Sequence, residues 1–258
     1  MHTPKSLIIL SAGILCTALP LSAQTIVQDW QFNDAAATSL TGLSNSAVGG
    51  GNSFDANLAG VETNSSGLLT IDNDGSIANS WLDTTDLSYT SGQYLIEANI
   101  ASWNLNTNNG NSGLYIGFMD GNNNTTVTAD FNITSNGTNM ILASRIGDTT
   151  RSGDTNFALS GSDLTIRVLV DLDAGATGEA TTSYDLGSTG TFTTIVSGES
   201  LNTRDLVDFR FRQSADWSGA FDSVSMDYLT ITAVPEPSAF AALAGLLALG
   251  FVTVRRRR

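Results

Sequence analysis

Apolar and polar residues alternate along most of this chain with a period of two. Residues 163–173 read DLTIRVLVDLD, which puts Leu164, Ile166, Val168, Val170 and Leu172 on one face and Thr165, Arg167 and Asp171 on the other. Such alternation marks a strand with one face in a core and one toward water. LVDFRFRQ at 206–213 repeats it, with Val207, Phe209 and Phe211 inward and Asp208, Arg210 and Arg212 outward. The same reading predicts strands at 26–32, 68–72, 77–82, 93–103, 114–119, 126–133, 140–145, 181–186, 191–196 and 223–232. Gly/Asn/Asp clusters at 49–52, 108–111 and 120–122 supply turns between them. No stretch inside this region keeps an apolar period of 3.6 for three turns. Many short strands joined by such turns predict an all-β fold, an antiparallel two-sheet jelly-roll sandwich. About 210 residues suit one such domain.

The two ends break the alternation. The N-terminus reads MHTPKSLIILSAGILCTALPLSAQ, with Lys5 before an apolar stretch at 7–19 and a small residue, Ala23, before Gln24. This is the layout of a secretory signal peptide, a short helix over 1–23 cut between Ala23 and Gln24. A permanent anchor is the alternative, but the stretch is short and Pro20 breaks it. Cys16 follows the bulky Leu15, a poor lipoprotein context, so it leaves with the signal. The C-terminus reads VPEPSAFAALAGLLALGFVTVRRRR. Residues 239–254 carry no charge and predict a transmembrane helix of about 24 Å at ~1.5 Å per residue. Arg255, Arg256, Arg257 and Arg258 mark its cytoplasmic end.

That order of Pro-Glu-Pro, apolar helix and arginine cluster resembles the PEP-CTERM sorting signal of Gram-negative bacteria. Val234, Pro235, Glu236, Pro237 and Ser238 match its recognition motif. The resemblance implies export through the general secretion machinery and processing near the motif by a membrane-embedded exosortase. The precursor is then anchored in the inner membrane, and the product resides at the cell surface or outside the cell. A plain single-span anchor is the alternative. The chain thus divides into a signal peptide at 1–23, an ectodomain at 24–233 and a sorting segment at 234–258.

Composition prunes the chemistry of the ectodomain. The only His, Cys and Lys (His2, Cys16 and Lys5) all lie in the signal. No disulfide can form, and a domain of this length can bury a core without one. A Ser-His-Asp triad, a Cys-His pair and histidine-ligated zinc or iron are excluded. Residues 24–233 keep 24 acidic and six basic side chains, a net charge of −18. That surface repels nucleic acid and anionic membranes. Carboxylate chemistry, oxygen-ligated calcium and aromatic binding remain.

The strand layout adds a second resemblance. DWQF opens the domain, QYLIEANIASW forms a long strand, and FDSVSMDYLTIT closes it next to the sorting tail. This is similar to the concanavalin A-like or laminin-G-like jelly rolls, which include lectins, carbohydrate-binding modules and some glycosidases. It implies a non-catalytic surface or matrix protein with extracellular polysaccharide as a partner, or else a polysaccharide hydrolase or lyase. Concanavalin-like glucanases carry ExDxxE on their catalytic strand. Here Glu97 is present, Asn99 replaces the Asp, and no second Glu follows, which favours the non-catalytic reading. The other glutamates of the ectodomain are Glu62, Glu179 and Glu199. Alternate oxygen side chains in a loop can converge on calcium, as at Asp120, Asn122 and Asn124 or at Asp171, Asp173 and Glu179. Polar hairpin turns are the alternative. Trp30 and Trp81 sit inside alternating strands and belong in the core. Trp103, leading into an Asn-rich loop at 104–112, and Trp217 are expected to be partly exposed and available to stack on sugar rings.

Overall fold

The structure is a computed structural model. It describes residues 24–47, 51–54, 60–72, 80–84, 89–105, 109–119, 127–147, 151–203, 206, 208–213 and 221–234. Both terminal segments, with the predicted signal and transmembrane helices, lie outside these. So do the turn at 120–122, with Asp120, Asn122 and Asn124, and Trp217.

Fourteen strands are named among the described residues, with one 3-10 turn at Leu40–Gly42 and no α-helix. They are β1 Thr25–Trp30, β2 Val61–Thr63, β3 Leu69–Asp72, β4 Ser80–Thr84, β5 Gln93–Leu105, β6 Asn109–Met119 and β7 Val127–Asn136. Then come β8 Met140–Ile146, β9 Gly153–Phe157, β10 Ser160–Asp171, β11 Glu179–Leu186, β12 Thr193–Ser200, β13 Asp208–Gln213 and β14 Phe221–Val234. All twelve predicted strands form. The alternation missed β2, which has only three residues. It also missed β9, whose GDTNF has no apolar face to show.

The strands build two antiparallel sheets, an arrangement consistent with a jelly-roll sandwich. The eight-stranded sheet runs β12-β11-β10-β5-β14-β3-β2, with β1 also on β14. β3 pairs Ser223 to Met226 of β14, and β1 pairs Leu229 to Ala233, so the two share one edge of that strand. β5 takes the other edge over its whole length. The six-stranded sheet runs β4-β13-β6-β7-β8-β9.

The core lies between the sheets and follows the alternation. Leu164, Ile166, Val168, Val170 and Leu172 are buried, as are Phe209 and Phe211 of β13. Trp30 packs against Phe54 at 4.8 Å and Phe209 at 6.2 Å between ring centroids. Its burial is as expected; the Trp81 side chain lies outside what the structure describes.

Two expectations are corrected here. The Asn-rich stretch at 104–112 is mostly strand: β5 runs to Leu105, and β6 begins at Asn109, where Asn109 and Gly110 pair with Asn136 and Ser135. Trp103 is consequently in the core at 4% exposure. Its indole N–H donates to the Ala158 carbonyl at 2.9 Å. Gly161, paired with it across the sheet, leaves room for the ring: a Cβ there would lie 2.2 Å from Trp103 Cζ2. A ring held this way offers no face to a sugar.

Candidate functional site

The outer face of the eight-stranded sheet carries an open polar groove. Its floor follows from register. Glu97 on β5 stands between Arg167 on β10 and Thr230 on β14. Arg167 Nε donates to Glu97 Oε2 at 2.5 Å, and the Tyr228 hydroxyl donates to Oε1 at 2.7 Å. Two hollows meet over this triad. One, of about 520 Å³, reaches Gln24, Ile26 and Gln31. The other, of about 340 Å³, reaches Asn99, Asp163, Asp185, Phe192 and Asp227. Arg167 lies over the Phe192 ring with its guanidinium carbon 3.5 Å from the centroid.

Burial, and then the hydrogen bond to Glu97, push the Tyr228 phenol well above its ordinary value. It therefore stays a donor at neutral pH and does not serve as a base. Both Glu97 oxygens are occupied as acceptors, which suits positioning rather than proton donation to a leaving group. The Asp185 carboxyl is held below its ordinary value by the Thr189 hydroxyl, with the Gly190 and Thr189 N–H groups assisting against burial. It closes the β11–β12 turn through those three bonds.

The outer face of the six-stranded sheet is different. One row across it runs Asp83, Arg210, Gly117, Asp130, Arg145 in register. The next contains Arg212, Tyr115, Asn132 and Ala143. Arg145 holds fully buried Asp130 in a bidentate pair, Nε to Oδ1 at 2.9 Å and Nη2 to Oδ2. Gly117 makes this approach feasible, because a Cβ there would fall 2.2 Å from Asp130 Cβ. Three guanidinium carbons surround the Tyr115 ring, at 4.4 Å for Arg145, 5.1 Å for Arg210 and 5.3 Å for Arg212. Arg210 lies on the outer face as the alternation predicts, yet it is buried at 1% exposure. Burial pushes its guanidinium down to about 9; Asp130 opposes that shift, while Arg212 and Arg145 add to it. Burial also raises the Asp130 carboxyl above its ordinary value, against Arg145, Arg210 and Arg212.

The second predicted calcium loop is described, and the carboxylates of Asp171 and Asp173 have other partners. Asp171 Oδ1 accepts from the Asp173 and Ala174 N–H groups, and its Oδ2 accepts from Gln93 Nε2. Asp173 Oδ2 accepts from the Gly92 N–H at 2.7 Å. Among the described residues no three acidic side chains converge where a metal ion could sit. The sequence singled out Glu97 but not its partners. Arg167 and Tyr228 are polar residues on separate strands, and only the register brings them to it. Of the sorting motif only Val234 is described, as the last residue of β14, opposite Gln93. Gln24 lies beside β1 and lines the larger hollow.

No family model matches this chain. No curated protein matches it either. Solved structures do. The alginate lyase Aly36B aligns over 83% of this chain and 97% of its own, with a TM-score of 0.47 and 10% identity. The exoplasmic/lumenal domain of VIP36 in a Ca2+/Man2-bound form covers 70% of this chain and 82% of its own, with a TM-score of 0.47 and 8% identity. Lectin II from Ulex europaeus covers 69% and 90%, with a TM-score of 0.45 and 10% identity. These neighbours are concanavalin A-like or legume-lectin-type jelly-roll domains.

Proposed function

We propose that this is an exported, non-catalytic cell-surface or matrix protein that binds extracellular polysaccharide along the outer face of its eight-stranded sheet. The observation that carries this reading is the open groove floored by Glu97, Arg167 and Tyr228. It runs along an exposed sheet face, as an extended ligand requires. It presents fixed donors and acceptors beside an aromatic ring, the groups that read sugar hydroxyls. The engagement of both Glu97 oxygens supports binding over hydrolysis. In this reading residues 234–258 form the sorting segment recognised by exosortase, and the −18 surface keeps the exported part soluble. Calcium belongs to this reading only as a structural clip, which at Asp171, Asp173 and Glu179 would have to displace the N–H donors already there.

A glycan array probed with the full chain, followed by a reducing-sugar assay on each bound glycan, tests the proposal. Binding without sugar release is expected. Glu97→Gln should weaken it about 10-fold, the scale of one charge-assisted hydrogen bond. Turnover abolished by Glu97→Gln would replace this reading with that of a carboxylate glycosidase.

A further inference from the structure

The two ends of the groove differ in charge. Around the larger hollow the ionised side chains are Glu97 and Arg167, and they cancel. Around the smaller one Glu97, Asp163, Asp185 and Asp227 stand against Arg167 alone, a net charge of −3. Its floor is one row across the sheet: Asp185 on β11, Thr165 on β10, Asn99 on β5 and Tyr228 on β14. Asp163 precedes Thr165 by two residues, and Asp227 adjoins Tyr228 where the register of β14 shifts. Glu97 is occupied by Arg167 and Tyr228, and Asp185 by its own turn. The exposed carboxylates of Asp163 and Asp227 have no hydrogen-bond or ionic partner among the described residues. Asn99 is a separate sign of a ligand. It lines the hollow at 7% exposure, and its Nδ2 donates to Thr165 Oγ1 at 3.1 Å. Its Oδ1 accepts from no described residue, although the oxygen of so buried a side chain normally has a donor.

We propose that this end of the groove selects a sugar bearing a protonated primary amine, so that the polysaccharide bound is one of free amino sugars. The inference rests on the groove being a sugar site and names the class of sugar. An ammonium carries three N–H donors and a positive charge, and so answers the Asn99 carbonyl and the free carboxylates together. An N-acetyl group offers one neutral N–H instead. A uronate would meet surplus negative charge, because Arg167 is already held by Glu97. A bare metal ion is not the match, since among the described residues no three acidic side chains converge on one point.

The test is calorimetric titration of the full-length chain in detergent with triglucosamine, tri-N-acetylglucosamine, trigalacturonate and spermidine. At about pH 5.5 exposed carboxylates are ionised and the sugar amines are protonated. Spermidine carries the same three charges without a sugar ring. Triglucosamine should bind at least 10-fold tighter than the acetylated sugar and than spermidine, with trigalacturonate weakest. Asp163→Asn and Asp227→Asn should each weaken triglucosamine at least 3-fold and leave the acetylated sugar unchanged. Both positions are exposed, and asparagine suits the φ of +57° at residue 163, so the fold should survive, which circular dichroism checks. The ligand ranking needs no variant and stands by itself. Acetylated sugar or uronate bound as tightly as triglucosamine overturns the amine and, where Glu97→Gln still weakens that binding, leaves the groove standing. Spermidine bound as tightly reduces the effect to attraction of any cation and overturns the proposal. So does a triglucosamine affinity untouched by both Asp variants, or no binding of triglucosamine. Failure of the groove itself reads differently: no glycan on the array binds.

Discussion

Replacing Arg145 with Met isolates the ionic part of the Asp130 pair. Asp130 has no exposed surface, and the Arg145 side chain is 17% exposed. Removing one partner from a buried pair strands the other charge, at a cost of about 3–5 kcal/mol. Arg210 and Arg212 remain nearby and offset part of that, so the lower end, about 3 kcal/mol, is the expectation. For a domain of this size that lowers Tm by about 6–12 °C. The pH dependence sets the sign. Burial already holds the Asp130 carboxyl above its ordinary value, and Arg145 draws it down. Without Arg145 it rises further. A carboxyl raised in the folded state favours folding fully below its unfolded value of about 3.9, and that contribution is lost as pH rises through the folded value. The deficit of Arg145→Met should therefore be largest at pH 7 and shrink toward pH 4.5. The double variant Asp130→Asn, Arg145→Met should recover at least half of it at pH 7. Urea melts of wild type, Arg145→Met and the double variant at both pH values measure this. A deficit independent of pH, or a double variant no more stable than Arg145→Met, would refute the reasoning.

Gly161→Ala should destabilise by about 1–3 kcal/mol, because its methyl collides with the buried Trp103 ring; a fluorescence-monitored melt equal to wild type would show that the ring moves aside freely. Asp171→Asn should cost about 1–2 kcal/mol through the loss of charge at a carboxylate that accepts three hydrogen bonds. The loss should be the same in calcium and in sodium of equal ionic strength, whereas a loss seen only with calcium would restore the metal reading of that loop. For the tail, mass spectrometry of protein from cells with active exosortase should give a product lacking residues 239–258. Retention of that segment would favour a plain anchor.

The strands were legible because burial on one face writes a period of two into the residues, as in Leu164, Ile166, Val168 and Val170. β9 was not, since an edge strand of GDTNF has no buried face to write. The strand residues at 104–105 and 109–112 are hidden in the sequence for a related reason. Asparagine and glycine favour turns locally, yet pairing with β7 held Asn109 and Gly110 in strand. Trp103, next to that stretch, is buried with it. Single polar residues such as Glu97 could be found in sequence, but what they do depends on cross-strand neighbours. Arg167 lies 70 positions from Glu97 and Tyr228 lies 131 away. The basic face is the clearest case. Arg210 shows only a polar slot in the alternation, and nothing in the local pattern says that Tyr115, Asn132 and Arg145 share its face.

The pairing of β14 has a mechanical consequence. It is the last described strand, it ends at Val234, and it is bonded along both edges, to β5 on one side and to β1 and β3 on the other. A pull on the chain beyond Val234 acts along the strand axis, across hydrogen bonds that lie perpendicular to it. Those bonds are loaded together in shear rather than peeled one at a time. Any tension transmitted through the C-terminal segment thus meets a strand held on both edges, and the fold resists extraction at the point where it would be tethered.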